Sequence, residues 1–193
     1  MLIWARVLEI FSAENIVRGS GMAAYIMLFS VVAGGMMLSV KWIPDRRRNE
    51  FLSYHRLLSL AAIVMVLIHG VAFFIGKYDY LSLTDVLLPF GAKHHPWEIA
   101  AGIIAVYTMV IIVISSVHSI MKSMGWQKWR IAHYLAFPCY FLSLWHSAAL
   151  ANPSHLMFLS FFYPATASVV IALALLQGWK ALERRRAASG HIT

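Results

Sequence analysis

The fold of this chain is decided by residues 54–70, which read YHRLLSLAAIVMVLIHG. From Leu57 to Gly76 the only ionisable side chain is that of His69. A helix needs about 20 apolar residues to cross the hydrocarbon core of a bilayer. The stretch therefore predicts a membrane-spanning helix that carries a histidine inside the apolar layer.

The rest of the chain has the same apolar character. Of its 193 residues, 61% are hydrophobic and 12% are charged, whereas a soluble domain is about 45–50% apolar and about 25% charged. This composition excludes an ordinary soluble enzyme, a disordered chain and a disulfide-rich secreted module. With Cys139 as its single cysteine, the chain cannot form an internal disulfide or hold an iron–sulfur cluster.

We predict an all-α integral membrane protein, a bundle of about five transmembrane helices preceded by an amphipathic interfacial helix. Residues 1–18 are assigned to the interfacial segment because charged residues interrupt a short apolar run. Five apolar runs supply the spans, at about 19–40, 51–76, 96–119, 129–151 and 156–180. The transmembrane bundle then covers residues 19–182, and residues 183–193 form a basic cytoplasmic tail.

The positive charge is distributed unevenly between the two predicted sides of the membrane. Lys and Arg number 16 against 8 Asp and Glu, for a net charge of +8. Segments 41–56, 120–130 and 180–193 hold 12 of the 16 basic residues. Because cytoplasmic loops carry the excess of Lys and Arg, we expect an inner-membrane protein with its amino terminus outside and its carboxyl terminus in the cytoplasm. The charge is thus explained by topology, and no nucleic-acid partner is expected.

Two predicted spans each carry two histidines at nearly the same spacing. His55 and His69 are 14 residues apart, and His133 and His146 are 13 apart. Each spacing covers about 20 Å along a helix, and both helices begin on the cytoplasmic side, so the histidines match in depth. A lone intramembrane histidine often only bonds a neighbouring helix, but two matched pairs favour bis-imidazole ligation of haem iron. We predict His55 and His133 as axial ligands of an inner haem, and His69 and His146 as those of an outer haem.

The second helix pair contains one geometric difficulty. Fourteen residues leave His55 and His69 within about 40° of one helix face, whereas thirteen leave His133 and His146 about 140° apart. Pro138 lies between the latter two, and proline removes a backbone hydrogen bond from a helix. We therefore expect a kink or local rewinding near Pro138 that realigns the two side chains.

These stretches resemble a known family. Residues 54–70 and 129–146 (WRIAHYLAFPCYFLSLWH) are similar to the haem-binding helices of the ferric reductase / NADPH oxidase transmembrane superfamily, and residues 114–129 (ISSVHSIMKSMGWQKW) resemble its helix end and basic loop. The resemblance covers about residues 51–150 and implies two stacked b haems. Single-chain enzymes of the superfamily add a flavin and nicotinamide domain, and no G-x-G-x-x-G follows a strand here. The similarity is therefore to stand-alone membrane haem subunits, such as the membrane partner of a periplasmic methionine sulfoxide reductase.

Several other polar residues are candidates for weaker roles. His118 is a candidate for contact with a haem edge or for an extra ligand. Three cations flank the inner histidines and either pair with haem propionates or extend to anionic lipid: Arg56, Lys128 and Arg130. His94 and His95, in a predicted outer loop, are candidates for a metal or acceptor site, with a solvated loop as the alternative.

The predicted function is that of a transmembrane di-haem b-type cytochrome, an oxidoreductase component without its own flavin or NAD(P)H domain. Its donor would be a cytoplasmic flavin reductase that supplies the flavin, or a membrane quinol. Its acceptor would be an extracytoplasmic redox protein, a ferric chelate or dioxygen. Two alternatives stay open: a quinol-oxidising cytochrome b subunit of a larger complex, and a non-redox haem- or metal-handling membrane protein.

Overall fold

The structure is a computed structural model that describes residues 12–76, 82–151 and 157–189, and these residues form helices joined by turns and short loops. In chain order the helices are α1 (Ala13–Ser39), a 3-10 turn (Asp45–Arg47), α2 (Arg48–Ile75), α3 (Leu83–Leu87), α4 (Pro96–Ser115), α5 (His118–Met124), α6 (Trp126–His133), α7 (Ala136–Leu150) and α8 (Met157–Ser189). Four helical segments in the described ranges are long and apolar enough to cross a membrane: Ala13–Ser39, Asp45–Ile75, Pro96–Ser115 and Phe158–Ala187. The predicted all-α membrane architecture is confirmed.

The first long helix begins six residues earlier than the predicted span. The hydroxyl of Ser12 accepts a hydrogen bond from the backbone N–H of Asn15 at 3.3 Å and so caps the start of α1. Glu14 and Arg18 form an exposed ion pair at 2.5 Å, one turn apart. Residues 13–18 therefore continue directly into α1, while residues 1–11 of the predicted interfacial segment lie outside the described residues.

The fourth predicted span consists of two helices in tandem, because the chain breaks between α6 and α7. The N–H of Leu135 bonds to the carbonyl of Ala132, and that of Phe137 to the carbonyl of Tyr134, both at 3.1 Å. These are tight i→i−3 bonds in place of the α-helical ladder. Pro138 has no N–H with which to continue the ladder to Tyr134. The kink expected near Pro138 is thus present, one turn before the proline.

The helices pack as an antiparallel bundle. α1 lies along α2 and α4 lies along α7, while α8 packs on α1 and α7. Within the core the hydroxyl of Tyr25 lies 2.5 Å from that of Thr166 and 3.2 Å from that of Tyr140. These buried hydroxyls satisfy one another where the bilayer would offer no water.

One end of the bundle carries most of the positive charge. The ammonium group of Lys180 donates to the carbonyl of Val40 at 3.0 Å, and the indole N–H of Trp129 donates to the hydroxyl of Ser116 at 3.4 Å. These contacts bring the ends of α1, α4, α6 and α8 to the same side as the start of α2. We call this side the basic end; its cations are Lys41, Arg46, Arg47, Arg48, Arg56, Lys122, Lys128, Arg130, Lys180, Arg184, Arg185 and Arg186.

Candidate functional site

The structure brings the four predicted histidines together as two pairs between α2 and the α6–α7 segment. The ring centroids of His55 and His133 are 6.3 Å apart, with an angle of 47° between the ring planes. Those of His69 and His146 are 6.2 Å apart, with an angle of 86°. All four side chains are half-buried. The break between α6 and α7 is what allows a 13-residue spacing to meet a 14-residue spacing.

The separation within each pair fits two imidazoles that share one metal ion. A metal–imidazole nitrogen bond is about 2 Å long and the ring centre lies ~1 Å beyond the nitrogen, so two rings on opposite sides of one ion have centres about 6 Å apart. Both observed separations meet this requirement. Within the described ranges no group of three or more His, Cys, Asp or Glu side chains is placed to hold a metal ion. The pairs therefore suit an ion whose other ligands come from a prosthetic group.

Backbone carbonyls fix the rings of the pair that lies further from the basic end. The Nδ1 atom of His69 lies 2.9 Å from the carbonyl oxygen of Val17, and that of His146 lies 2.8 Å from the carbonyl oxygen of Glu98. A carbonyl only accepts, so Nδ1 carries the proton in both rings. The Nε2 atoms are thereby left with free lone pairs, as metal ligation requires.

The pair nearer the basic end is held differently. The Nδ1 atoms of His55 and His133 are buried and form no hydrogen bond with the described residues; the one of His55 faces the carbonyl of Val31. The ring of His133 instead stacks on the indole of Trp129, with centroids 4.8 Å apart and an angle of 24°. Its orientation thus depends on an aromatic neighbour.

Three glycines, which the sequence analysis did not assign to the site, lie directly against histidine rings. An ideal Cβ would lie 2.6 Å from His146 Nδ1 at Gly102, 2.9 Å from His69 Nδ1 at Gly21 and 3.3 Å from His55 Cε1 at Gly35. The first two distances are shorter than real Cβ contacts allow, so only glycine leaves room for the ring. We call Gly21, Gly35 and Gly102 the histidine-facing glycines.

Each histidine-facing glycine follows by four residues a carbonyl that faces the same ring. Gly21 follows Val17, and Gly102 follows Glu98. A single helical turn therefore offers both the hydrogen-bond acceptor and the space for the imidazole. A signal was available in the sequence, since Gly21 and Gly35 are 14 residues apart, the spacing of His55 and His69.

The weaker candidates lie on the surface. His118 is the exposed first residue of α5, and the side chains of Arg56, Lys128 and Arg130 are exposed at the basic end. Their contacts with a haem edge or propionate stay predictions.

The two loop histidines lie at the opposite end of the bundle, just before α4. His94 is exposed. The Nδ1 atom of His95 is 3.8 Å from a carboxylate oxygen of Glu98, and 63% of the His95 side chain is exposed. No third ligating side chain joins them among the described residues, and their role in metal or acceptor binding stays a prediction.

The fold and the site together define an integral membrane helical protein with two bis-histidine centres. The family model described as "ferric reductase like transmembrane component" matches residues 20–144, about two thirds of the chain. The chain therefore belongs to this family and is a transmembrane electron-transfer component; transmembrane domains of the family generally bind haem. The matched range contains His55, His69 and His133, and His146 follows its end by two residues. No significant match was found among curated proteins or solved structures.

Proposed function

We propose that this protein is a transmembrane di-haem b-type cytochrome. His55 and His133 are the axial ligands of one haem, and His69 and His146 are those of the other. The observation that supports this proposal best is the pair of ring separations, 6.3 Å and 6.2 Å, which two imidazoles around one iron require. When bound, haem supplies one-electron iron chemistry, and the chain supplies the ligands, their orientation and an apolar surrounding.

The charge distribution gives the proposal a direction. The basic end faces the cytoplasm because Lys and Arg accumulate in cytoplasmic loops. Electrons then enter at the His55–His133 pair and leave from the His69–His146 pair. The donor is a cytoplasmic flavin reductase or a membrane quinol, and the acceptor is an extracytoplasmic redox protein, a ferric chelate or dioxygen.

The residues around the ligands make the two centres unequal. Hydrogen bonds from Nδ1 to a carbonyl raise the basicity of the ligand and fix the ring plane. His69 and His146 have such bonds, and His55 and His133 do not. We therefore expect two distinguishable low-spin signals from the two haems.

The test is haem quantification on the purified full chain. A reduced-minus-oxidised absorbance spectrum with pyridine-haemochrome analysis should give two b haems per chain. His133→Ala and His146→Ala should each leave about one, while His94→Ala, a change at an exposed loop histidine, should leave two.

Three outcomes would contradict the proposal. No haem in the wild-type chain, despite haem supply during expression, would remove the cytochrome assignment. Loss of both haems from each folded single variant would contradict the two separate pairs. Stoichiometric haem that no reductant of low potential reduces would favour the non-redox haem-handling alternative.

A further inference from the structure

An aromatic stack connects the surface of the basic end to the His55–His133 pair. The indole of Trp126 is 63% exposed and stacks on that of Trp129, with centroids 4.7 Å apart and an angle of 29°. Trp129 stacks in turn on His133 at 4.8 Å and 24°. Positions 126, 129 and 133 share one face of α6 because they are three and four residues apart. Successive ring contacts thus lead from an exposed ring to a proposed axial ligand.

The geometry of the stack exceeds what a membrane anchor needs. An interfacial tryptophan needs only to place its indole at the headgroup level, and Trp97 at the other end meets Phe90 edge-on, at 74°. The rings of Trp126, Trp129 and His133 lie close to parallel instead. The hydrogen bond from the Trp129 indole to Ser116, at 3.4 Å, fixes the middle ring against the end of α4.

The charges around Trp126 indicate the kind of partner. Lys122, Lys128 and Arg130 lie within four residues of it and are exposed. No Asp or Glu occurs between residues 99 and 182, so the segment itself provides no compensating carboxylate. A positive surface around an exposed flat ring suits a partner that is both anionic and planar.

We propose that Trp126 is the docking site for an anionic flavin and that the Trp126–Trp129 stack carries one electron from it to the His55–His133 centre. This inference rests on the proposed function. The reduced flavin anion is oxidised by one electron, and the ferric iron held by the pair becomes ferrous. No bond forms or breaks, and no proton crosses the stack.

The binding step can be tested without reference to haem. The full chain in nanodiscs of zwitterionic lipid is titrated with flavin mononucleotide, whose fluorescence is quenched when it stacks on an indole. We expect saturable quenching that weakens with added salt. Trp126→Ala should weaken binding about three- to tenfold, the range that an aromatic pair supports. Trp97→Ala, which removes an indole of similar exposure (62%) at the other end, should not change it.

The electron step is tested on the haem-loaded full chain by stopped-flow reduction with photoreduced flavin mononucleotide. Trp126→Ala and Trp129→Leu should slow the first phase of haem reduction, Trp129→Phe should recover part of the rate, and Trp97→Ala should match the wild type. The haem content and the absorbance spectrum of Trp126→Ala should equal those of the wild type.

The outcomes separate the two proposals. Equal flavin affinity and equal reduction rates for Trp126→Ala and the wild type, with two haems retained in both, would overturn the port and leave the cytochrome assignment intact. A wild-type chain without haem would overturn the proposed function, while the fluorescence titration would still decide whether Trp126 binds the flavin.

Discussion

The two histidine pairs are alike in their ring separation and unlike in what holds their rings. The His69–His146 rings donate to backbone carbonyls at 2.9 and 2.8 Å, and each lies against a glycine. The His55–His133 rings make no such bonds among the described residues, and His133 rests on Trp129. The distance between ligands is thus set by the helices, whereas the orientation of each ring is set by its immediate neighbours.

The two ligand-bearing segments differ in the same way. α2 carries His55 and His69 on one continuous helix, since a 14-residue spacing returns close to the same face. The opposite segment carries His133 at the end of α6 and His146 on α7, with a break between them. One residue less between ligands therefore requires an interruption of the helix, and Pro138 contributes to it.

The largest effect is expected from Gly102→Ala. A Cβ 2.6 Å from the Nδ1 atom of His146 must displace the ring and break its hydrogen bond to the carbonyl of Glu98. Loss of such an outer-shell partner costs about 10–100-fold in metal affinity. Haem analysis should show the His69–His146 haem at well below one per chain, with the other haem retained.

Gly19→Ala is the matched control for this change, because a Cβ at Gly19 has nothing within 4 Å. Alanine is favoured over glycine in a helix by about 1 kcal/mol, so Gly19→Ala should keep both haems and full stability. A folded Gly102→Ala variant with two tightly bound haems would show that the glycine contact does not position His146.

A smaller effect, at the other pair, is expected from Pro138→Ala. The change restores an N–H that can bond to the carbonyl of Tyr134 and favours a continuous helix by about 3 kcal/mol, against the packing that holds the break. A continuous helix would turn His133 about 140° away from the direction of His146. Electron paramagnetic resonance should show partial loss of one low-spin signal, that of the His55–His133 haem.

Pro164→Ala provides the control for this prediction, since Pro164 lies within α8, away from the ligand-bearing helices. Both low-spin signals should persist there. If Pro138→Ala also leaves both signals at full intensity, packing alone maintains the break, and the contrast between the two ligand-bearing segments does not depend on the proline.

The sequence predicted the parts of the molecule whose side chains carry the information. The apolar runs gave the helices, and the spacings of the histidines gave their pairing. The helix ends were less well predicted: α8 continues to Ser189, past the predicted end of the span at 180, because charged residues such as Arg184 to Arg186 sustain a helix outside the apolar layer as well. Membrane thickness limits where a span ends but does not end the helix.

The orientation of the rings could not be predicted in the same way. The acceptors for His69 and His146 are backbone carbonyls of Val17 and Glu98, and every residue has a carbonyl. Only the glycine four residues later distinguishes these turns from others. The stack of Trp126 and Trp129 was available from spacing, but tryptophan near a membrane boundary was interpreted as an anchor.

The smallest effect is expected from Gly35→Ala. A Cβ there would lie 3.3 Å from the Cε1 atom of His55, a tight contact that a shift of a few tenths of an ångström relieves. The Nδ1 atom of His55 makes no hydrogen bond that such a shift would break. Haem content should therefore stay at two per chain, with only a small change in the low-spin signal of the His55–His133 haem. A loss of haem as large as that from Gly102→Ala would mean that the His55 ring is held as firmly as the His146 ring, and the two pairs would then differ in their contacts but not in their rigidity.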